Sequence, residues 1–201
     1  MTLDQPSAGK RESGGDRRIA IALAARQIIV EKGLEGLRTR DIADRVGINI
    51  ATLHYHVPSK EALVALVAES LRLDFQAQAL RHPREGRNGL ELLHLEFEDF
   101  RETVVDMPEL IIILTELVER ARRDVAVAGI MLPMRDFWRE QFADIFRRGM
   151  ADGSFRPDLD PEAAGLISTG ALADCWRQPK LSLSLLDRVA AELERAFIRK
   201  S

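Results

Sequence analysis

Apolar residues recur every three or four positions along almost the whole chain of 201 residues, and valine and isoleucine never alternate with polar residues for long. This spacing places apolar side chains on one face of an α-helix, whereas a half-buried strand needs alternation with period two. The sequence therefore predicts an all-α protein. The predicted helices cover about residues 17–32, 39–46, 50–56, 59–80, 90–105, 108–124, 131–151, 161–177 and 184–199.

Capping residues define the predicted helix ends. Gly47 is placed to end a helix, because glycine adopts the left-handed conformation at little cost. Short polar side chains are placed to accept the free N–H groups at helix starts. The predicted N-terminal caps are Thr39, Ser59, Asp160 before Pro161, and Ser184 in a capping box with Asp187.

Composition limits the class of protein. Hydrophobic residues make up 46% of the chain and charged residues 30%, which is ordinary for a soluble globular protein. The one cysteine, Cys175, excludes an internal disulfide framework and favours a reducing compartment. No apolar run approaches the roughly 18 residues of a membrane span, and residues 1–16 lack the apolar stretch of a secretory signal. We therefore expect a cytoplasmic protein with no membrane partner.

Charge is distributed unevenly. Residues 1–60 carry a net charge of +3 and the remaining residues −6, within a total of −3. A basic front on an acidic body fits a local site for a polyanion. Residues 1–16 are rich in Ser, Gly, Pro and charge, so we expect a mobile arm there. The basic residues in this arm and just after it are Lys10, Arg11, Arg17 and Arg18. They either touch phosphate or a minor groove of DNA, or only add solubility.

The segment 33–60 contains two short predicted helices separated by a tight turn at 47–49. This spacing is typical of a helix-turn-helix, in which the first helix braces the second and the second enters a groove of DNA. Leu53 and Val57 are expected to anchor the second helix inward. Its hydrogen-bonding side chains are unusually dense for a buried helix, and they are Asn49, Thr52, His54, Tyr55 and His56.

Residues 17–80 resemble the DNA-binding domain of the TetR family of bacterial transcriptional regulators. The resemblance implies an N-terminal three-helix helix-turn-helix domain followed by a C-terminal helical domain for ligand binding and dimerisation. It also implies three partners: double-stranded operator DNA, a small-molecule effector and a second copy of the chain. The matching motifs are Ala24-Ala25 before Gly33, Thr39-Arg40-x-Ile42-Ala43, Gly47-Ile48, Thr52-Leu53-x-x-His56 and Ser59-Lys60-x-x-Leu63.

The resemblance further implies a role for each matching residue. Arg40 would reach a guanine, since its guanidinium fork fits O6 and N7. Phosphate contacts would come from Thr39, Tyr55 and Lys60, and His56 would support the contact with the DNA backbone. Base edges would be contacted by Asn49, Ile50, Ala51, Thr52 and His54. The family commonly has tyrosine where His54 stands and a more polar pair at 50–51, so no operator sequence carries over.

Three segments are expected on this basis. Residues 1–16 form the arm, residues 17–62 the helix-turn-helix domain with its motif at about 38–57, and residues 63–201 the effector-binding and dimerisation domain. The polar loop 82–89 marks the clearest change from the small front to the large back of the chain.

A dimer is expected because one helix-turn-helix makes few contacts, and two copies must lie about 34–36 Å apart to enter successive major grooves. The last two helices are the candidate interface, as a four-helix bundle formed with the partner chain. The alternative is that their apolar stripes face the core of the same chain. The candidate residues are Ala163, Ile167, Gly170, Ala171, Asp174, Leu186, Val189, Ala190, Leu193 and Phe197.

Large apolar groups are concentrated in the helices between residues 90 and 151. Methionine and aromatic side chains there either line an effector cavity or fill a core. The candidate pocket residues are Phe75, His94, Phe97, Phe100, Met107, Leu114, Met134, Phe137 and Trp138.

Metal and enzyme functions find little support. His54 and His56 lie about 200° apart on a helix, so they cannot grip one ion, and His82 and His94 have no acidic or histidine partner at ligand spacing. We expect no metal and no cofactor, and no nucleotide-binding or nucleophile motif is present. Two alternatives to a ligand-responsive regulator stay open. They are a ligand-independent DNA-binding or nucleoid-associated protein and a small helical enzyme.

Overall fold

The computed structural model describes residues 14–178 and 182–199, which form nine α-helices and a 3-10 turn at 34–36. Within these ranges Phe155 and Ile198 form an isolated bridge and no strand is present, so the all-α prediction is confirmed. The helices are α1 (Gly14–Lys32), α2 (Thr39–Val46), α3 (Ile50–His56), α4 (Lys60–Arg81), α5 (Gly89–Asp106), α6 (Pro108–Ala121), α7 (Val125–Asp152), α8 (Pro161–Arg177) and α9 (Leu183–Phe197).

Two helices begin three or more residues earlier than the sequence predicts. α1 starts at Gly14, so residues 14–16 are helical and not part of an arm, and the rest of the expected arm lies outside the described residues. α7 starts at Val125, because the side chain of Asp124 accepts the N–H groups of the first turn. Pro133 therefore lies inside α7.

Two predicted caps are wrong. Thr39 is the first residue of α2, and the N-cap position belongs to Arg38, which makes no side-chain capping bond. The cap of α9 is Ser182, whose hydroxyl accepts the N–H of Leu185, so Ser184 is the second residue of the helix. The other predicted caps are confirmed: Ser59 Oγ accepts from Ala62, Asp160 Oδ1 accepts from Ala163, and Gly47 ends α2.

The chain divides into two compact units between Val67 and Ala68, within α4. The loop 82–89 lies inside the second unit. In the first unit, α1 buries one face through residues at helical spacing, including Ile21, Ala25 and Ile28. Because α1, α2 and α3 all pack on one another, this face forms the base of the helix-turn-helix.

The second unit is built around α7, which packs against α5, α6 and α8. Phe142 and Phe146 of α7 are fully buried at its centre. Glycines allow two close crossings: a Cβ on Gly165 of α8 would lie 3.0 Å from the Arg139 carbonyl oxygen, and a Cβ on Gly89 would lie 2.2 Å from Cα of Gly149. No helix within the described residues is long and apolar enough to cross a membrane.

Candidate DNA-binding surface

The turn between α2 and α3 is fixed by main-chain bonds and one side chain. Gly47 adopts a left-handed conformation (φ 72°), and Ile48 N–H donates to the Ala43 carbonyl oxygen at 2.9 Å. The chain then turns into α3, whose first turn is capped when Oδ1 of Asn49 accepts the N–H of Thr52 at 2.7 Å. This geometry gives α3 a defined starting direction.

One face of α3 is exposed, and the other anchors the helix. Leu53 and Val57 are 1% and 3% exposed, as the sequence predicts. Tyr55 is 85% exposed, and the ring of His56 packs edge-on against it with centroids 5.2 Å apart. The residues exposed beside Tyr55 are Ile50, Ala51 and His54, while Thr52 and His56 are half-buried.

Asn49 has a structural task that the sequence analysis did not assign to it. It was expected at a base edge, but its acceptor oxygen is already used by the N–H of Thr52. Its amide NH2 and the second lone pair of Oδ1 remain for a base, but the capping bond fixes the direction in which the side chain points. A base contact by Asn49 would therefore have to be made in the orientation that capping sets.

Basic side chains flank α3. Arg40, in the first turn of α2, is exposed, and Thr39 beside it is half-buried. Lys60 begins α4, and its Nζ lies 3.8 Å from Oε2 of Glu35. Because Glu35 is 80% exposed, the Lys60 ammonium can leave it for a phosphate at little cost.

Ion pairs tie α2 to α1 beneath this surface. Arg45 donates two hydrogen bonds to the carboxylate of Glu31, at 2.9 and 2.8 Å, and Lys32 donates to Asp41 at 2.8 Å. The hydrogen bond from Arg45 lowers the pKa of Glu31, and that from Lys32 lowers the pKa of Asp41. Both carboxylates are therefore ionised at neutral pH and hold α2 in place.

A contact at the far end of α3 was missed by the sequence analysis. Arg18 Nη1 donates to the main-chain carbonyl oxygen of His56 at 2.8 Å, across 38 residues of chain. The partner is a main-chain atom, so no side-chain pattern indicated it, and Arg18 was expected only to touch phosphate or a minor groove or to add solubility.

The expected effector residues of the second unit lie in different environments. Phe100, Trp138 and Trp176 form a stack of nearly parallel rings with centroids 5.6–6.2 Å apart. Phe137 is instead 71% exposed and lies on a cleft of about 200 Å³ that Leu92 and Arg84 also line. The other apolar residues expected to line the effector pocket are half-buried, and they are Phe75, Phe97, Met107, Leu114 and Met134. The stack favours the filled-core alternative for Phe100 and Trp138.

Two histidines have partners that the sequence analysis did not find. His94 Nε2 contacts Oε2 of Glu194 at 2.8 Å on the surface, so it is not the buried pocket anchor expected. His82 Nδ1 contacts Asp99, close to Glu102. Arg84 and Arg81 neutralise these two carboxylates, which leaves them poor ligands for a cation.

A buried acidic residue contacts Arg84 and Gln141, two of the residues that line the cleft beside Phe137. Glu96 is 4% exposed and accepts from Arg84 and Gln141. Burial raises the pKa of the Glu96 carboxyl, and the Arg84 charge opposes that change.

The candidate interface residues separate into three groups by their exposure. Leu186, Leu193 and Phe197 of α9 are 2%, 7% and 4% exposed and belong to the core of their own chain, so the intrachain alternative is correct for them. Val189, Ala190 and Ala171 are half-buried. The exposed face of α8 is formed by Ala163, Ile167, Gly170 and Asp174, together with Leu166, which the sequence analysis did not include.

These features define a helix-turn-helix protein joined to a second helical unit. Residues 21–67 match the family model described as bacterial regulatory proteins, tetR family. A repressor named KstR2 from Mycolicibacterium smegmatis is 30% identical over 173 residues, which is 80% of this chain and 75% of that protein. The class D tetracycline repressor of Escherichia coli is 42% identical over 55 residues, 27% of this chain and 25% of that protein.

The fold agrees with this similarity. A transcriptional regulator from Saccharomonospora viridis, solved in complex with choline, superimposes with a TM-score of 0.82 at 20% identity, over 92% of this chain and all of that chain. The chain belongs to the TetR family of bacterial regulatory proteins. It is a DNA-binding transcriptional regulator.

Proposed function

We propose that the protein is a repressor that binds a palindromic operator as a dimer and is released by a small molecule. One observation carries the DNA-binding part of this proposal. The exposed face of α3, with His54 and Tyr55, is anchored by buried Leu53 and Val57, and exposed basic residues precede and follow it in the chain, at Arg40 and Lys60. Operator binding also places the protein in the cytoplasm.

The exposed residues divide by the part of DNA that they suit. Tyr55 and Lys60 have a hydroxyl and an ammonium that suit phosphate, which positions the protein without reading sequence. His54 and Arg40 suit base edges in the major groove. Arg40→Ala is expected to cost about 1–3 kcal/mol on the correct sequence and much less on random duplex. Lys60→Ala is expected to weaken both equally.

The exposed face of α8 is the proposed dimer interface. Leu166 and Ile167 are 51% and 55% exposed, and Ala163 and Gly170 on the same face would let a partner helix approach closely. At positions i, i+3, i+4 and i+7 of the helix, these residues form one contiguous exposed face, and contiguous apolar patches mark protein–protein interfaces. A twofold contact between two chains has the same symmetry as a palindromic DNA site.

The second unit is the proposed effector site. Relatives are named as repressors, and the Saccharomonospora viridis regulator was solved with choline, which supports ligand control in proteins of this fold. For this chain, the cleft beside Phe137, which Leu92 and Arg84 also line, is the candidate region. A ligand would shift the population toward a state that no longer fits the operator.

Selection of bound sequences from a random duplex pool tests the proposal. We expect recovery of a palindrome, bound with a stoichiometry of two chains per duplex. A screen of small molecules against that duplex then tests ligand control. Binding that resists every effector would favour the ligand-independent alternative, and failure to enrich any sequence would refute the proposed regulator.

A further inference from the structure

We infer that Arg18 is a positioning residue that fixes the C-terminal end of the DNA-reading helix α3. The inference rests on the proposed role of α3, but it concerns a residue of α1 that no motif assigns to DNA reading. Arg18 lies in the second turn of α1 and donates from Nη1 to the carbonyl oxygen of His56, the last residue of α3.

The last carbonyl groups of α3 have no N–H donors within the helix itself. Val57 N–H donates to the carbonyl oxygen of Leu53 at 2.8 Å and completes the helix. The next residue, Pro58, has no N–H, so the helical hydrogen-bond ladder of α3 stops at Val57. The carbonyl oxygen of His56 is one of the last four of the helix, which have no partner within it, and Arg18 supplies a donor to this oxygen from another helix.

The charge of Arg18 suits this position as well as its geometry. The C-terminal end of a helix carries partial negative charge, and a guanidinium placed there is stabilising. Asn49 closes the other end of α3 through Thr52. The seven-residue helix is therefore held by a side chain at each end and by the buried side chain of Leu53 between them.

This arrangement has a consequence for DNA recognition. His54, the base-edge candidate of α3, lies in the last turn of the helix, which Arg18 holds at its end. Base-edge hydrogen bonds depend on the direction of the helix, whereas phosphate contacts by exposed cations tolerate some movement. Loss of Arg18 should therefore reduce discrimination between sequences more than it reduces binding to DNA in general.

The test compares Arg18→Ala, Arg18→Lys and Arg17→Ala on the duplex selected by the wild-type protein and on a random duplex, over a range of salt concentrations. An exposed cation at a helix C-terminus is worth about a two- to fivefold change in an equilibrium constant. We expect Arg18→Ala to weaken binding to the selected duplex by about that factor per subunit. Binding to random duplex should change little. Arg18→Lys should retain most of the affinity, because its ammonium can donate to the same carbonyl oxygen.

The salt dependence separates positioning from a direct phosphate contact. A positioning residue leaves the slope of log K against log salt unchanged, whereas a lost phosphate contact lowers it by about one per subunit. Arg17→Ala removes the same charge one residue away and controls for general electrostatics. Equal losses of Arg18→Ala on both duplexes with a reduced slope would overturn the inference, and so would unchanged binding.

Hydrogen exchange provides a readout that does not require DNA. Amide exchange at residues 53–57 should accelerate in Arg18→Ala, while exchange in α2 stays as in the wild type. If the alanine variant unfolds, Arg18→Gln removes the charge with less change in size and serves the same purpose. A wild-type protein that selects no sequence would refute the proposed function, whereas selection with an unaffected Arg18→Ala variant would refute only the role of Arg18.

Discussion

Asn49 provides a direct test of how the reading helix is held, because its side chain bonds to the main chain of its own helix. Its Oδ1 accepts the N–H of Thr52 at 2.7 Å, and its backbone has the extended conformation of an N-cap (φ −78°, ψ 160°). Asn49→Ala removes the acceptor. Asn49→Ser keeps a capping oxygen, and Asn49→Asp keeps it while adding a negative charge at the proposed DNA surface.

The expected magnitude follows from this one hydrogen bond. Loss of an N-cap side chain costs about 0.5–2 kcal/mol, and serine and aspartate cap about as well as asparagine. For a chain of this size, about 1 kcal/mol lowers the midpoint of thermal unfolding by roughly 2–4 °C. Asn49→Ala should therefore show that decrease, while the serine and aspartate variants unfold within about a degree of the wild type.

DNA binding by the same variants separates capping from base reading. If Asn49 acts mainly as a cap, Asn49→Ser should bind the selected duplex nearly as well as the wild type. Asn49→Asp should bind all duplexes more weakly, most clearly at low salt. If Asn49 instead reads a base, the serine variant would lose about 1–3 kcal/mol on the selected sequence. The capping argument fails if Asn49→Ala unfolds at the wild-type temperature.

Three further predictions concern charge and exposure elsewhere in the chain. Glu35→Gln should raise affinity for every duplex by up to about fivefold per subunit, because it frees Lys60 from an exposed ion pair. Fluorescence anisotropy should show this gain, and a gain of the same size when Lys60→Ala is also present would contradict the reasoning. Because burial raises the folded-state pKa of Glu96, the free energy of unfolding should fall as pH rises from the ordinary pKa of 4.5 toward that raised pKa. Measured by urea unfolding from pH 4.5 upward, Glu96→Gln should therefore gain stability relative to the wild type as pH increases. A difference between the two proteins that stays constant with pH would exclude this. Leu166→Glu should give folded monomers in sedimentation. Leu132→Glu, a matched change at an exposed leucine of α7, should leave the dimer intact. If both variants sediment as dimers, the α8 face is excluded as the dimer interface.

The sequence predicts the bounds of α3 correctly, because the residues that limit this helix lie directly on either side of it in the chain. Gly47 and Pro58 limit α3 on either side, and both act through their own backbone chemistry rather than through distant contacts. The start of α7 was missed because its cap, Asp124, lies before a stretch without strong helix signals, and Pro133 follows inside the helix.

Contacts between distant parts of the chain could not be predicted by spacing. His82 meets Asp99 across 17 residues and His94 meets Glu194 across 100. Rules for metal ligands and ion pairs search short intervals, so they found no partner for either histidine. Arg18 shows the same limit more strongly, because its partner is a carbonyl oxygen that every residue type possesses.

Amphipathic stripes present a different problem, because periodicity identifies a buried face without naming the surface that buries it. α9 has such a stripe, and the fold of its own chain already covers Leu193. On α8, Ala164 and Leu172 face the core of the same chain, while Leu166 and Ile167 remain exposed on another side. A helix that is apolar on two sides satisfies one of them within its own chain and leaves the other for a partner. Exposure in the folded chain, rather than hydrophobicity, therefore distinguishes a candidate interface from a core, and it favours α8 over the stripe of α9 as the proposed dimer surface.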